Sequence, residues 1–172
     1  MSPRITKFAV VALVALVMVI AVRHHFSAGE VVKRKIGATI EAFEEERLLP
    51  VMSSISRGYS DPLGLDYEIL GGYLKRAMED YDDLDVDYVL TRPSVAEDEV
   101  RVGIEFVIWG RLEGTRGPVV GTRGSVLGSV SEPCSALLLW RKEAPGWRLA
   151  STVDLDIPEY REELDSRRQG QF

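Results

Sequence analysis

At Asp82 the apolar residues of this chain change their spacing, and that change limits the fold to a class with helices first and strands after. From Glu30 to Arg47, Val32, Ile36, Ile40 and Phe43 recur every three or four residues, which places them on one helical face and turns Glu41, Glu44, Glu45 and Glu46 to water. Pro50 is acceptable in a first helical turn and not in the middle of one, so Pro50 to Ser56 reads as a second, short helix carrying Val51, Met52 and Ile55. Gly58 breaks it. Asp61-Pro62-Leu63-Gly64 is a turn, and Asp66 is a suitable N-cap for a third helix from Tyr67 to about Tyr81, with a buried stripe of Ile69, Leu70, Tyr73, Leu74, Ala77, Met78 and Tyr81.

Past Asp82 the period is two. Leu84, Val86, Tyr88 and Leu90 alternate with Asp83, Asp85, Asp87 and Val89, which describes a strand with an acidic outer face. Val100, Val102, Ile104, Phe106 and Ile108 mark a second strand. Ser135 to Arg141 and Trp147 to Ile157 supply a third and fourth, joined by a turn at Glu143-Ala144-Pro145-Gly146. The expected class is α+β: three N-terminal helices on a curved, mainly antiparallel sheet of four strands. The third strand, SALLLW, is apolar on both faces, and Val107 and Trp109 extend its second face. A strand of that kind needs cover on both sides. Helices supply one cover; a homodimer packed sheet to sheet is the first expectation for the other, with the tail or the long loop folding over as the alternative.

Ahead of this domain lies a run of a different kind. Phe8 to Val22 is 15 residues without a polar side chain, roughly 22 Å as a helix at about 1.5 Å per residue, against a hydrocarbon core of about 30 Å. Extension to Ile5, with Lys7 reaching toward the headgroups, makes a single membrane span through residues 5–22. A cleaved secretory signal is the competing reading; Arg4 and Lys7 suit it, but neither Val19-Ile20-Ala21 nor Phe26-Ser27-Ala28 is a good exit. Arg23, Lys33, Arg34 and Lys35 beyond the run favour a cytoplasmic domain, whereas the basic tip before it favours export to the periplasmic or extracellular side, which is the orientation expected here. The chain therefore divides into a tail and anchor at 1–28, a folded domain at 29–157 and a C-terminal tail at 158–172 that reads as a short fraying helix.

Composition removes several functions. All 27 acids but only 18 of the 21 bases lie beyond residue 29, a net charge of −9 that offers nothing to a phosphate backbone, so nucleic acid is not an expected partner. Cys134 is the one cysteine and excludes an intrachain disulfide. Both histidines, His24 and His25, precede the folded domain.

Three helices followed by a strand meander, together with the stretch ISRGYSDPLGLDYEILGGYLKRAMEDYDDLDVDY from Ile55 to Tyr88, resemble the nuclear-transport-factor-2-like, or cystatin-like, α+β cone. The likeness of order runs from about Glu30 to Ile157. It implies a curved sheet wrapped round a pocket, on a fold that hosts isomerases, dehydratases, cyclases, transport adaptors and assembly proteins alike. In ketosteroid isomerase, a member of that superfamily, the aspartate of a similar Asp-Pro-x-Gly turn is the general base, which carried over points to Asp61. The donors that stabilise the enolate there, a tyrosine on the first helix and an acid on a strand, have no counterpart in helix one or in SALLLW. The histidine used by the superfamily's dehydratases and cyclases is absent as well. Asp61 is thus a weak catalytic candidate and a good turn former.

Tyr59 and Tyr73 are the pocket candidates; Arg101, Glu105, Asp154 and Asp156 fall on outer faces by alternation. Asp83, Asp85 and Asp87 have the opening spacing of a calcium loop, but Tyr88 stands where its glycine belongs and Ser94 where its glutamate belongs, so no metal is expected. From Gly110 to Pro133 the chain writes Gly-Thr-Arg-Gly twice, with Arg111, Arg116 and Arg123; a twisted hairpin extension is the plain reading, and a loop binding anionic headgroups, an acidic partner or a ligand is the functional one. Together these readings describe a membrane-tethered, non-enzymatic binding or scaffold module without cofactor, with an unknown protein or a small apolar ligand as its partner. A small-molecule enzyme of isomerase, dehydratase or cyclase type and a component of an envelope or secretion assembly are the alternatives.

Overall fold

A computed structural model of the chain describes residues 27–112 and 124–158. Helix α1, Ala28–Glu44, starts at Ser27, whose hydroxyl accepts from the Glu30 N–H at 3.3 Å. Helix α2 is Leu48–Ser53, with Pro50 in its first turn, and α3 is Tyr67–Asp80. Asp66 caps α3 as its sequence position predicts, accepting from Glu68 N at 2.9 Å and Ile69 N at 2.8 Å. Strands β1 (Tyr81–Leu90), β2 (Ser94–Ala96), β3 (Glu99–Leu112), β4 (Gly124–Leu127), β5 (Cys134–Glu143) and β6 (Gly146–Asp156) complete the domain.

The sheet is antiparallel in the order β1-β3-β5-β6, with β2 and β4 paired to β3. It has six strands where the sequence suggests four. The two additions are short returns on β3: Ser94–Ala96 faces Glu99–Arg101, and Gly124–Leu127 faces Ile108–Gly110. Three or four residues show too little alternation for a period to be read. β3 and β4 form the base of the expected hairpin extension; its tip, with Arg116 and Arg123, lies outside the described residues. The proposed span at 5–22 and the tail beyond residue 158 lie outside them too, and among the described residues no helix is long and apolar enough to cross a membrane.

Two further departures have local causes. In α3 the inward line is Leu70, Leu74 and Met78, four residues apart, while Ile69 and Tyr73 are 44% and 60% exposed. One residue is about 100° of helical rotation, so a helix resting on a narrow seam turns such neighbours to water. Gly71 lets α3 approach closely: a Cβ there would stand 2.8 Å from Met52 Cε. In β1 the alternation breaks at a bulge between Asp82 and Asp85, where Asp83 has φ 53° and its carboxylate pairs with Arg111.

Both sheet edges are guarded. Val86 N–H on β1 donates to Glu44 Oε1 at 2.9 Å. Beside β6, the segment leaving α2 exchanges backbone bonds with the strand, Ser56 N to Leu149 O and Leu149 N to Ser54 O, each 2.9 Å. The core divides in two. Val32, Ile36, Val100, Val102 and Trp140 form one buried cluster; Ala42, Val51, Met52, Ile55 and Tyr59 form the other. On the outer face Leu137 and Leu139 are half-buried, and Val107 is covered, sharing a shallow groove with Val130 and Pro133 from the loop before β5.

Candidate ligand-binding site

Between the helices and the concave face of the sheet lies a cavity of about 280 Å³. Alternation builds its strand wall: Val86 from β1, Ile104, Phe106 and Ile108 from β3, Ala136, Leu138 and Trp140 from β5. Leu149, Thr152 and Leu155 add the edge strand β6. Thr39, Ile40 and Phe43 enter from α1, Val51, Ser54, Ile55 and Tyr59 from α2 and the segment after it, and Leu70 and Leu74 from α3. The volume is nearly twice that of a roughly 150 Å³ apolar cavity able to hold benzene, so a bicyclic or short-chain molecule fits.

The hydroxyls on this wall are already engaged. Thr39 Oγ1 donates to Lys35 O at 2.8 Å and Ser54 Oγ to Pro50 O at 3.4 Å. Tyr59 donates to Asp61 Oδ2 at 3.1 Å, and Thr152 hydrogen-bonds the same phenol oxygen. Burial pushes the Tyr59 phenol up to about 12; the Asp61 charge adds to the rise and the Thr152 contacts oppose it. The phenol is therefore a neutral donor whose proton is directed at a carboxylate.

Asp61 itself is engaged at both carboxylate oxygens. Its Oδ1 accepts from Leu63 N and Leu65 N, both at 2.9 Å, while Oδ2 takes the Tyr59 proton. Gly64, at φ 77°, closes the turn with its N–H on Asp61 O at 3.1 Å. Such a carboxylate organises a turn and is not among the cavity-lining residues. Of the two tyrosines suggested by sequence, Tyr59 reaches the cavity and Tyr73 stands outside on the exposed side of α3. Arg101 and Glu105 are exposed, as alternation requires. Arg111 pairs with Asp83 at the base of the hairpin, away from the cavity lining.

A second polar group covers the β5–β6 turn. Ser56 Oγ donates to Glu143 Oε1 at 2.6 Å, and Glu143 Oε2 lies 3.8 Å from Arg148 Nε. Burial, then the nearby Arg148 charge, lowers the pKa of Lys35 below its usual value. Among the described residues no three of His, Cys, Asp and Glu are grouped to hold a metal.

Sequence reasoning passes over Trp140. It reads as the last core residue of an apolar strand, yet it is 2% exposed, lines the cavity and leaves its indole Nε1 without a hydrogen-bond partner. Only the tertiary arrangement distinguishes it from any other core aromatic.

The fold and site together define a cone-shaped α+β domain with an apolar interior cavity. Among solved structures the chain is similar to a candidate dehydratase of the NTF2-like family from Streptomyces avermitilis, with a TM-score of 0.57 and 16% identity over 70% of this chain and 90% of that one. It is similar to a candidate scytalone dehydratase from Novosphingobium aromaticivorans, with a TM-score of 0.59 and 10% identity over 73% and 80% of the two chains. A ketosteroid isomerase-like protein from Erwinia carotovora atroseptica gives 0.55 and 17% over 74% and 94%. Neither the family profiles nor the curated proteins compared with the chain give a match. Identities this low establish a shared nuclear-transport-factor-2-like fold, which does not select among the reactions and binding functions it hosts.

Proposed function

We propose that this chain is a membrane-tethered binding module that takes a small, mainly hydrocarbon ligand into its cone. The supporting observation is the wall: fifteen of its nineteen residues are apolar, and each of its four hydroxyls already has a hydrogen bond within the protein. Burial of hydrocarbon against such a wall contributes about 25 cal/mol per Å² of apolar surface, whereas a charged ligand would lose hydration without gaining a partner. The tether is the apolar stretch 5–22. On the outer face, half-buried Leu137, Leu139 and Val153 suit a second copy of the chain.

The test is a titration of the full chain with tetralin, followed by NMR. Saturable one-site binding that Ala136→Phe weakens more than tenfold, with the melting temperature held, supports the reading. Absence of binding, or binding unaffected by filling the cavity, overturns it.

A second reading is an isomerase- or dehydratase-type enzyme, favoured by one observation: Tyr59 in the cavity wall is hydrogen-bonded to Asp61, the position to which the family resemblance carries a base. Fold neighbours bearing dehydratase and isomerase-like names point the same way. That reading requires the chain to accelerate deuterium exchange beside the carbonyl of 1-tetralone in D2O, and Asp61→Asn to abolish the acceleration. Exchange at the solvent rate removes this proton-transfer activity.

A further inference from the structure

Charge divides this domain along the length of α1. The helix starts beside the turn from β1 to β2, where a Cβ on Gly29 would stand 3.0 Å from Pro93 Cβ. From there β2 sets Val95 opposite Val100, β3 sets Glu99 opposite Arg141, and β5 sets Arg141 opposite Arg148, so residues 28–35, 91–101 and 139–148 form one end of the molecule. Those residues carry eight bases and five acids, a net charge of +3, whereas the other described residues carry five bases and seventeen acids, a net of −12. Glu44, Glu45 and Glu46 mark the opposite pole, roughly 25 Å away along a 17-residue helix. At the basic end Glu30 pairs with Lys33 at 3.3 Å, Glu99 with Arg101 at 2.8 Å and Glu143 with Arg148 at 3.8 Å. Arg92, Arg141 and Lys142 are exposed and make no ion pair among the described residues. Arg141 and Arg148 also face each other across β5 and β6, and Lys35 adjoins Arg148 closely enough for the two charges to repel. Like charges set opposite in a sheet weaken it, and an anion beside them relieves the repulsion.

The position of this end says which anion. The apolar stretch 5–22 stops four residues before Ser27, a reach of at most about 18 Å in extended chain, so a tether there holds the start of α1 next to the bilayer. We infer that the basic end is a docking surface for anionic lipid headgroups, which stands the domain on the membrane with its acidic pole turned to water; this rests on the tether proposed above. Attraction of each Lys or Arg to an anionic surface fades within a Debye length of about 8–10 Å, so the bases at the tethered end feel the surface and acids roughly 25 Å away do not. A domain lying on its side would bring Glu44 to Glu46 and the Asp82, Asp83 and Asp85 group within that distance and be repelled. A neutral bilayer exerts neither force.

The test places the full chain in nanodiscs of phosphatidylcholine, with or without about 30% phosphatidylglycerol, each doped with a gadolinium-chelating lipid, and follows amide broadening by NMR. Amides within 92–96 and 141–146 are expected to broaden about threefold more in anionic discs than in neutral ones, while those of 44–46 and 79–82 stay sharp in both. Raising the salt to about 0.5 M should return the anionic discs to the neutral pattern. The combined variant Arg92→Glu, Arg141→Glu, Lys142→Glu should do the same at low salt; if it does not fold, the salt response of the wild-type chain decides. Equal broadening in the two lipids, or broadening of the acidic pole, overturns the docking surface and leaves the tether standing. A chain that does not enter the discs overturns the tether together with the inference built on it.

Discussion

The two buried clusters are built from similar residue types and differ in what stands next to them. Around Val32, Ile36, Val100 and Val102, α1 lies directly on β3 and the side chains are between 0% and 3% exposed. Around Val51, Met52, Ile55 and Tyr59, the helices face a void, and α3, the third wall, contributes no fully buried residue. One end of the cone is packed for stability and the other is held open. Close packing rewards each methylene with dispersion contacts, whereas a cavity wall forgoes them on one side. The lesson is that apolar content alone does not reveal which half of such a core is structural.

The contrast is broken most directly by truncation. Ile36→Ala should cost about 3 kcal/mol in denaturant unfolding and Leu74→Ala about 1 kcal/mol, because the first opens a new hole and the second enlarges an existing one. Equal losses would show that the two ends are packed alike. Asp61→Ala removes acceptors for two backbone N–H groups and a phenol, and should cost about 2 kcal/mol by the same measurement. Asp66→Ala removes the α3 cap alone, for about 1 kcal/mol, and should loosen the cavity end first, seen as faster amide exchange in α3 than in α1.

A separate expected effect is one of pH. Tyr59 titrates near 12 in the folded chain and near 10 when unfolded, so the folded state favours the protonated phenol. Its contribution is fully present below about pH 10 and is lost as pH rises toward 12. Tyr59→Phe should flatten that part of the stability profile, measured by urea midpoints at pH 9 and 11.5. An unchanged slope would mean that the phenol is not shielded at the cavity wall.

Much of this architecture is legible in the chain itself. The change of period at Asp82, the Asp66 cap and the Asp61–Gly64 turn are local matters, set by side-chain spacing and by backbone bonds within a few residues, and the structure places each where the sequence does. The turn-forming role of Asp61 is legible too, since an aspartate before proline is suited to the turn bonds it makes. Tyr73 was beyond such reading because helical period gives the direction of the apolar face and not its width, which depends on what the helix rests against. The short strands β2 and β4 depend on pairing with β3, a contact that no window of three or four residues contains.

The amino-acid sequence determined the order of helices and long strands, the caps and turns and the charge of the domain, because all of these follow from neighbours along the chain. Tertiary structure decided which inward residues close on one another and which surround empty volume. It also decided that Tyr59 is spent on Asp61 while the buried Trp140 indole N–H has no hydrogen-bond partner. The physical reason is that hydrogen-bond satisfaction and packing are properties of groups brought together from distant segments, and neither is written in the residue that carries them.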